Sequence, residues 1–351
     1  MDSWDWTPLL ATNDDAPEAV HRRWYDAGLV DGLPIVSPTA ARVRRFYRTA
    51  GLDPARHVAV VEPSQRAVSV YDIAVCAVAA GCEPAHLPIV VAAVTAVCAP
   101  AFNLLGIQTT TGTATPAIIV HGPIATAAGV SGERDCLGGS TLANAAIGRS
   151  LRLLLRSVGG GSHTGMDQAT MGQPAKLGLC FAENLARSPW PPLHAGRGFL
   201  PASSAVTVAG ISGSVEIVHA DAVEARDLLT TLAGSMLIAG SAGSHGLLGG
   251  GAPLIVLAPE HARLLDEAGY DRADVQRALW QEAVLPWERL APSVIERYQR
   301  TDAAALNTEP GLRIAATPDD VLIAVAGGIG VKSTYLPSWG GGTRAVTVPI
   351  E

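Results

Sequence analysis

The stretch HVAVVEPSQRAVSVYDIAVCAVAAG (57–81) decides the reading of the fold. Its opening HVAVVE is a short run of strand character, and DIAVCAVAAG is an alanine-rich helical run closed by glycine. The same order recurs at 205–236, where AVTVAG reads as a strand and ADAVEARDLLTTLAGSM as a helix. Beyond each helix a polar, glycine-containing stretch leads to a buried strand that runs into proline, PAIIVHGP (116–123) and PLIVLAP (253–259). A further helical segment follows each, TLANAAIGRSLRLLLRSV (141–158) and RADVQRALWQEAV (272–284). Strands alternating with helices predict an α/β protein of two similar α/β halves with mixed sheets. The element order repeats better than the residues do, which reads as an internal duplication with a ligand-binding cleft between the halves.

Outward from this repeat, residues 1–56 read as an N-terminal helical appendage. Pro17–Ala27 forms its first helix after Asp15, and Pro38, Thr39 and Gly51 start and stop the second. The first α/β half is expected over 57–160, and the second, with its C-terminal strands DDVLIAVAGG (319–328) and RAVTVPI (344–350), over 205–351. Between them lies 161–204, rich in Gly, Pro and polar residues. So long an irregular stretch points to function, and Phe181, Trp190, Leu193 and Phe199 argue that it is ordered.

Composition narrows the function. Of 351 residues, 48% are hydrophobic and 16% charged, enough for a large core. The net charge of -7 is spread along the chain. Arg42, Arg44, Arg45 and Arg48 fall on the wet face of one helix, so no nucleic-acid partner is expected. The acidic N-terminus MDSWDWTPLL lacks a signal-peptide core, and no apolar run is long enough to span a bilayer. Cys76, Cys82, Cys98, Cys136 and Cys180 show no CxxC spacing and read as reduced thiols, so a cytoplasmic protein with no membrane partner is expected.

Reactive side chains concentrate in CFAENLARSPWPPLHAGRGF (180–199). There Cys180 reads as a nucleophile if His194 or Arg197 lies near its sulfur, and otherwise as a packed small residue. Glu183 reads as a proton acceptor or as an ion-pair partner of Arg197. In GIQTTTGTATP (106–116), Gln108, Thr109 and Thr110 could present donors to an anion or simply line a sheet. GGSTLANAAIGRS (138–150) resembles a helix N-terminus capped by Ser140 or Thr141, with Asn144 and Arg149 further in. AVAGGIGVKST (324–334) fails the phosphate-loop pattern, because Val331 separates Gly330 from Lys332, yet it offers Lys332 and Ser333 to an anion. The nine histidines form no HxH or HExxH spacing, so no metal site and no cofactor are expected. Convergence of His219, His245 and His163, the last just ahead of Asp167, is left to the fold.

Taken together, DGLPIVSPT (31–39), AGCEPAHLPIVVAAV (80–94), FNLLGIQTT (102–110), CFAEN (180–184) and SPWPPLH (188–194) resemble a bacterial family. Its members accompany, or are fused to, small UGSC-motif (seleno)proteins. The resemblance runs through most of the chain and rests on Gln108, Thr109, Thr110, Cys180, Glu183, Asn184, Trp190, His194 and Arg197. It implies a protein partner with a redox-active selenol or thiol in a U/C-G-S-C motif, which this chain itself lacks.

The expected function is therefore an enzyme, or its substrate-binding subunit, acting on a small anionic metabolite. Cys180, Glu183 and His194 are the catalytic candidates. Gln108, Thr109, Thr110, Asn144, Arg149, Asn184, Arg197, His245, Lys332 and Ser333 are the substrate-binding ones. Thiol- or selenol-assisted bond cleavage or formation with a UGSC-type partner is one class, and a stand-alone lyase or hydrolase another. A non-catalytic small-molecule-binding protein is the alternative, and a homo-oligomer is compatible with any of these.

Overall fold

The computed structural model describes residues 4–162, 165–240, 251–301 and 311–351. Its strands are β1 (His57–Val61), β2 (Arg66–Ser69), β3 (Thr115–His121), β4 (Cys180–Ala182), β5 (Ala205–Ile211), β6 (Val215–Val218), β7 (Leu254–Leu257), β8 (Val284–Pro286), β9 (Gly311–Arg313), β10 (Leu322–Val325), β11 (Lys332–Leu336) and β12 (Val346–Pro349). Its helices are α1 (Pro17–Asp26), α2 (Ala40–Thr49), α3 (Val70–Ala80), α4 (Leu87–Val97), α5 (Leu104–Thr109), α6 (Pro123–Ala127), α7 (Leu142–Arg156), α8 (Ala225–Ser235), α9 (Pro259–Glu267), α10 (Arg272–Glu282) and α11 (Pro292–Thr301). The chain is an α/β protein with mixed sheets.

Side chains alternate across a strand, and here the alternation builds layers. Ala117 and Ile119 of β3, Phe181 of β4 and Ala209 and Ile211 of β5 pack with Leu254 and Val256 of β7, Leu322 and Ala324 of β10 and Leu336 of β11. That cluster is the seam between two sheets stacked face to face. The intervening residues face outward. Ile118, Val120, Cys180 and Val208 pack with helices α3, α4 and α7, and Ile255, Leu257, Ile323 and Val325 pack with α8 and α10. The architecture is four layers, helix–sheet–sheet–helix.

The sheets share one pairing pattern. Sheet one has the order β12-β5-β3-β4 and sheet two β6-β11-β7-β10. In each, a parallel pair (β3 with β4, β7 with β10) adjoins two antiparallel ones (β3–β5–β12, β7–β11–β6). The parallel strands are linked through α6 and α7 in one sheet and α9 and α10 in the other. The correspondence of PAIIVHGP with PLIVLAP therefore holds in position. That of HVAVVE with AVTVAG does not, because β1 and β2 form a separate two-stranded sheet, whereas β5 is interior to sheet one. The expected boundary at residue 205 is corrected accordingly. Strand propensity identifies a strand but not its partner, and β5 pairs backward with β3. The outer strands are exchanged as well: β6 follows β5 in the chain but lies in sheet two, and β12 follows β11 but lies in sheet one.

The N-terminal helices begin and end as their capping residues suggest. Thr39 accepts the Arg42 amide at the start of α2, and Gly51 takes φ +68° beyond its end. They are not an appendage, however. Trp6, Trp24, Val43 and Phe46 share one apolar cluster with α3 and α4. The Trp6 indole also donates to Asp72 (2.7 Å), the residue that closes a capping box with Ser69 at the start of α3.

Two buried histidines outside the seam are locked neutral by their partners. His86 Nδ1 accepts the Glu83 amide (3.0 Å) while Nε2 donates to the Ala128 carbonyl (3.1 Å). His261 Nδ1 accepts from the Ser333 hydroxyl (2.8 Å), which itself accepts the Ala258 amide (3.0 Å). Burial holds both below the ordinary imidazole range. A depressed folded-state pKa gives stability that is fully present above the unfolded value, about 6.5, and lost as pH falls through the folded value. The urea midpoint should therefore drop on acidification from neutrality, and His86→Gln or His261→Gln should flatten that drop. A midpoint independent of pH across this window would contradict it.

Candidate functional site

At one end of the seam the inward-facing rows turn polar. Along β3 the row runs Ala117, Ile119, His121; along β4 and just beyond it, Phe181, Glu183; along β5, Ile211, Ala209, Thr207. His121 and Glu183 thus stand at the carboxyl ends of the two parallel strands of sheet one, where α/β sheets present their ligand sites. The equivalent positions in sheet two, by strand register, are Ala258 and Ala326, so only one of the matching ends carries chemistry.

Glu183 sits at the centre. Its Oε1 receives two nitrogens of the Arg272 guanidinium (3.1 and 3.2 Å), and its Oε2 accepts the Leu193 amide (2.7 Å). His121 Nδ1 lies 3.3 Å from the same Oε2. The His194 ring stacks on His121, with centroids 4.7 Å apart. The side chains of His121 and Glu183 are 0% and 1% exposed, and His194 is wholly buried. Burial alone would raise the Glu183 carboxyl, but His121, Arg272 and the Leu193 amide outweigh it and hold it below the usual carboxylate range. His194 is pushed below the ordinary imidazole value, by burial first and by His121 second.

Tautomers follow from the partners. His194 Nε2 faces the carbonyls of Leu200 and Ser203, both at 3.1 Å; carbonyls only accept, so this nitrogen carries the hydrogen. Its lone pair is then on Nδ1, a buried atom with no hydrogen-bond partner among the described residues. His121 Nε2 meets the Thr207 hydroxyl (2.8 Å), Thr207 meets Thr347 (2.9 Å), and Thr347 accepts from Arg197 Nε (2.7 Å). This row of hydroxyls ties the centre to sheet one and its outer strand β12.

Glycines make room for the backbone around the site. Gly122, at φ +78°, follows His121, and a Cβ there would lie 2.3 Å from the Ser203 carbonyl oxygen. A Cβ on Gly132 would lie 2.3 Å from the Ala182 oxygen and 2.5 Å from Glu183 C. The loop carrying Gly132 bounds a cavity of about 360 Å³ that His121, Glu183, Asn184, Ser131 and Pro192 also line. Asn184 stitches this end to sheet two, donating from its amide to Val325 (2.8 Å) and from Nδ2 to Gly327 (3.0 Å). A larger cavity of about 610 Å³ opens at the opposite end of the seam, beside Leu179, Ile211 and Leu336. Its charged lining residues among those described are Arg149 and Glu216. The smaller cavity is lined by His121 and Glu183, with His194 stacked on His121 outside its lining, and is the candidate site.

Of the residues singled out in the sequence, Glu183 and His194 meet here, with Asn184 beside them. The others lie elsewhere; Asn144, Arg149 and Cys180 line the larger cavity at the opposite end. Arg149 makes a bidentate pair with Asp31 (2.7 and 2.9 Å) and fastens the N-terminal segment, so it is corrected from anion binder to structural anchor. Arg197 spends its guanidinium on Thr347 and the Ala345 carbonyl, and does not pair with Glu183, whose arginine is Arg272. Asn144 holds the 131–136 loop through Ser131 and Cys136. Gln108 donates to the Glu62 carbonyl (2.8 Å), Thr109 back-bonds to Leu105 (2.8 Å), and Thr110 accepts the Gly112 amide (3.0 Å). Lys332 is exposed at the start of β11, and Ser333 serves His261 and Ala258. His245 and His163 lie outside the described residues.

Cys180 is corrected as a nucleophile. It alternates with Phe181 and so faces the outer helical layer, on the opposite side of the sheet from Glu183. Burial pushes its thiol far up. The same holds in lesser degree for Cys98, at about 12, and Cys136, at about 11. Native protein at neutral pH should react with a thiol reagent such as DTNB only slowly, and the five free cysteines should all react once urea unfolds the chain. Rapid labelling of Cys180 in the folded state would restore it as a candidate.

Two partners escaped the sequence reading. His121 ends an otherwise apolar strand, PAIIVH, immediately before Gly-Pro, and a polar residue at the carboxyl end of a buried strand was the available signal. Arg272 gives none, since it reads as an ordinary first-turn residue of α10. The expectation of no metal-ligating group is also revised: His121, Glu183 and His194 are far apart in sequence, but their ligand atoms all lie within 4.8 Å of one another. No protein-family model and no curated protein matches this chain.

Proposed function

We propose that this protein is an enzyme acting on a small anionic metabolite at the His121–Glu183–His194 centre. The observation that carries this reading is the coupling of a buried, ionised carboxylate to two stacked imidazoles, one with its lone pair unspent, beside a cavity of small-molecule size. In this reading His194 Nδ1 takes a proton from the substrate. Glu183, fixed by Arg272, orients His121 and offsets the positive charge that develops on the imidazoles. The reaction class is a proton-transfer one, a lyase or hydrolase. The resemblance to UGSC-associated proteins adds a second route, in which a partner brings the selenol or thiol that this chain's buried cysteines do not offer. Those reduced thiols accord with a cytoplasmic setting, and no helix among the described residues is long and apolar enough to cross a membrane.

The test is a turnover screen, followed by NMR, of small carboxylates and phosphate esters, run with and without a UGSC-motif protein. Turnover by the wild type that falls at least about 100-fold in His194→Gln, with the fold intact by circular dichroism, supports the reading. Ligands that raise the unfolding temperature without being converted would make the protein a binder instead.

A further inference from the structure

We infer that His121 Nδ1, Glu183 Oε2 and His194 Nδ1 together form a binding site for a divalent first-row metal ion of borderline softness, of the zinc or iron(II) kind. The inference deepens the proposed function and rests on the same centre being the functional one. The three buried side chains each offer a ligand atom within 4.8 Å of the other two, and His121 Nδ1 lies 3.3 Å from Glu183 Oε2. A bound ion at about 2.0–2.2 Å from each requires that triangle to contract and the two stacked rings to turn out of their 25° packing, because an imidazole nitrogen donates in the plane of its ring.

The second, independent observation is the unspent donor. His194 is held through Nε2 by two carbonyls, which leaves the lone pair on Nδ1, a buried atom with no hydrogen-bond partner among the described residues. Leaving such an atom buried and unpaired is unfavourable, and a coordinate bond removes that cost. Both imidazoles also carry the outer support that metal-bound histidines have: the far nitrogen of each is anchored by oxygen, Thr207 Oγ1 for His121 and the Leu200 and Ser203 carbonyls for His194. With the ion bound, His121 presents its lone pair at Nδ1 and donates from Nε2 to Thr207. Glu183 keeps Oε1 for Arg272 and gives Oε2 a second duty beside the Leu193 amide.

Three protein ligands of the N,N,O type leave positions open, as in catalytic rather than structural sites. The charge count then names the substrate class. Glu183 and Arg272 cancel, and the remaining charged residue among the described ones lining the cavity is Glu133, with no lysine or arginine. The ion would therefore be the positive charge that an anionic substrate meets, and with Arg149 and Arg197 committed elsewhere it supplies what those residues do not. A bound water would take over the proton-transfer role that His194 plays in the ion-free centre.

The experiment is calorimetric titration of chelator-treated full-length protein with Zn²⁺ and with Co²⁺, without substrate. It is joined to X-ray absorption spectroscopy of the zinc-loaded wild type. One equivalent should bind, with a first shell of nitrogen and oxygen at about 2.0–2.1 Å and imidazole scattering. His194→Gln and His121→Gln should each weaken binding by more than about 100-fold, beyond what loss of an outer-shell partner costs. His57→Ala, at the exposed end of β1, should bind as the wild type does. Absence of stoichiometric binding, sulfur in the first shell, or affinity unchanged in both glutamine variants overturns the site. Should either variant fail to fold, the wild-type absorption spectrum still decides. Failure here leaves the proton-transfer reading to its turnover test, whereas metal bound without turnover of any metabolite overturns that reading and keeps the site.

Discussion

Glu183→Gln should lower the stability of the fold by about 3–5 kcal/mol, because it strands the Arg272 guanidinium beside a neutral amide. Arg272 is 12% exposed and holds, besides Glu183, the carbonyls of Ile323 and Pro191. Its charge therefore cannot easily turn to water. Arg272→Met should be comparably damaging for the opposite reason, a carboxylate left in the seam with only the Leu193 amide and His121. The double variant should be less damaged than the sum of the two, since neither charge is then left alone. Urea unfolding of the four proteins measures this, and additive losses would mean that the two groups do not act as a pair. Turnover should be lost in Glu183→Gln and in the double variant, because His121 loses its orienting anion in both.

The second large effect is expected far from the site. Trp24 is wholly buried, and its indole donates to the Leu9 carbonyl (2.9 Å) while stacking on Trp6 at 5.4 Å. Trp24→Ala should cost about 3–5 kcal/mol, the usual range for deleting a large buried aromatic. The loss should appear in the main unfolding transition, since Trp6, Trp24 and Phe46 share an apolar cluster with α3 and α4. A separate early transition confined to the first 50 or so residues would instead restore the picture of an appendage. Calorimetry distinguishes the two, because an independent unit melts with its own enthalpy.

The uneven legibility of the chain has a physical origin. Local capping signals were reliable, since Thr39 caps α2 and Thr141 caps α7, whereas Pro123 and Pro259, read as strand ends, also open the unforeseen helices α6 and α9. The alternation in PAIIVH and PLIVL also sorts correctly into seam and outer face. What local signals do not carry is pairing. Nothing in RAVTVPI says that Val346–Pro349 will lie against Ala205–Val208 rather than beside its neighbour β11. The site shows the same division. Glu183 and His194 are visible because polar groups crowd one short segment. His121 and Arg272 join them only through strand register and the reach of a helix start across the seam. Arg149 and Arg197 looked like anion binders because charge is conspicuous in a sequence, whereas the backbone carbonyls and Asp31 that claim them are set by the fold.

The exchange of outer strands bears on how the molecule assembles. β12 closes sheet one against β5, with Thr347 and Thr207 in contact although 140 positions apart in the chain. β6, made immediately after β5, waits for β11. Each half therefore carries the other's last strand, and neither sheet reaches its full width until both have been threaded. Such pairing of high sequence separation makes folding slow and cooperative, and a nascent first half must hold an open strand edge while the second is synthesised. Thr347, which links Arg197 to the hydroxyl row under His121, arrives with that closing strand. The support beneath His121 is among the last pieces put in place, so an incompletely assembled chain lacks the hydroxyl row that ties the centre to β12.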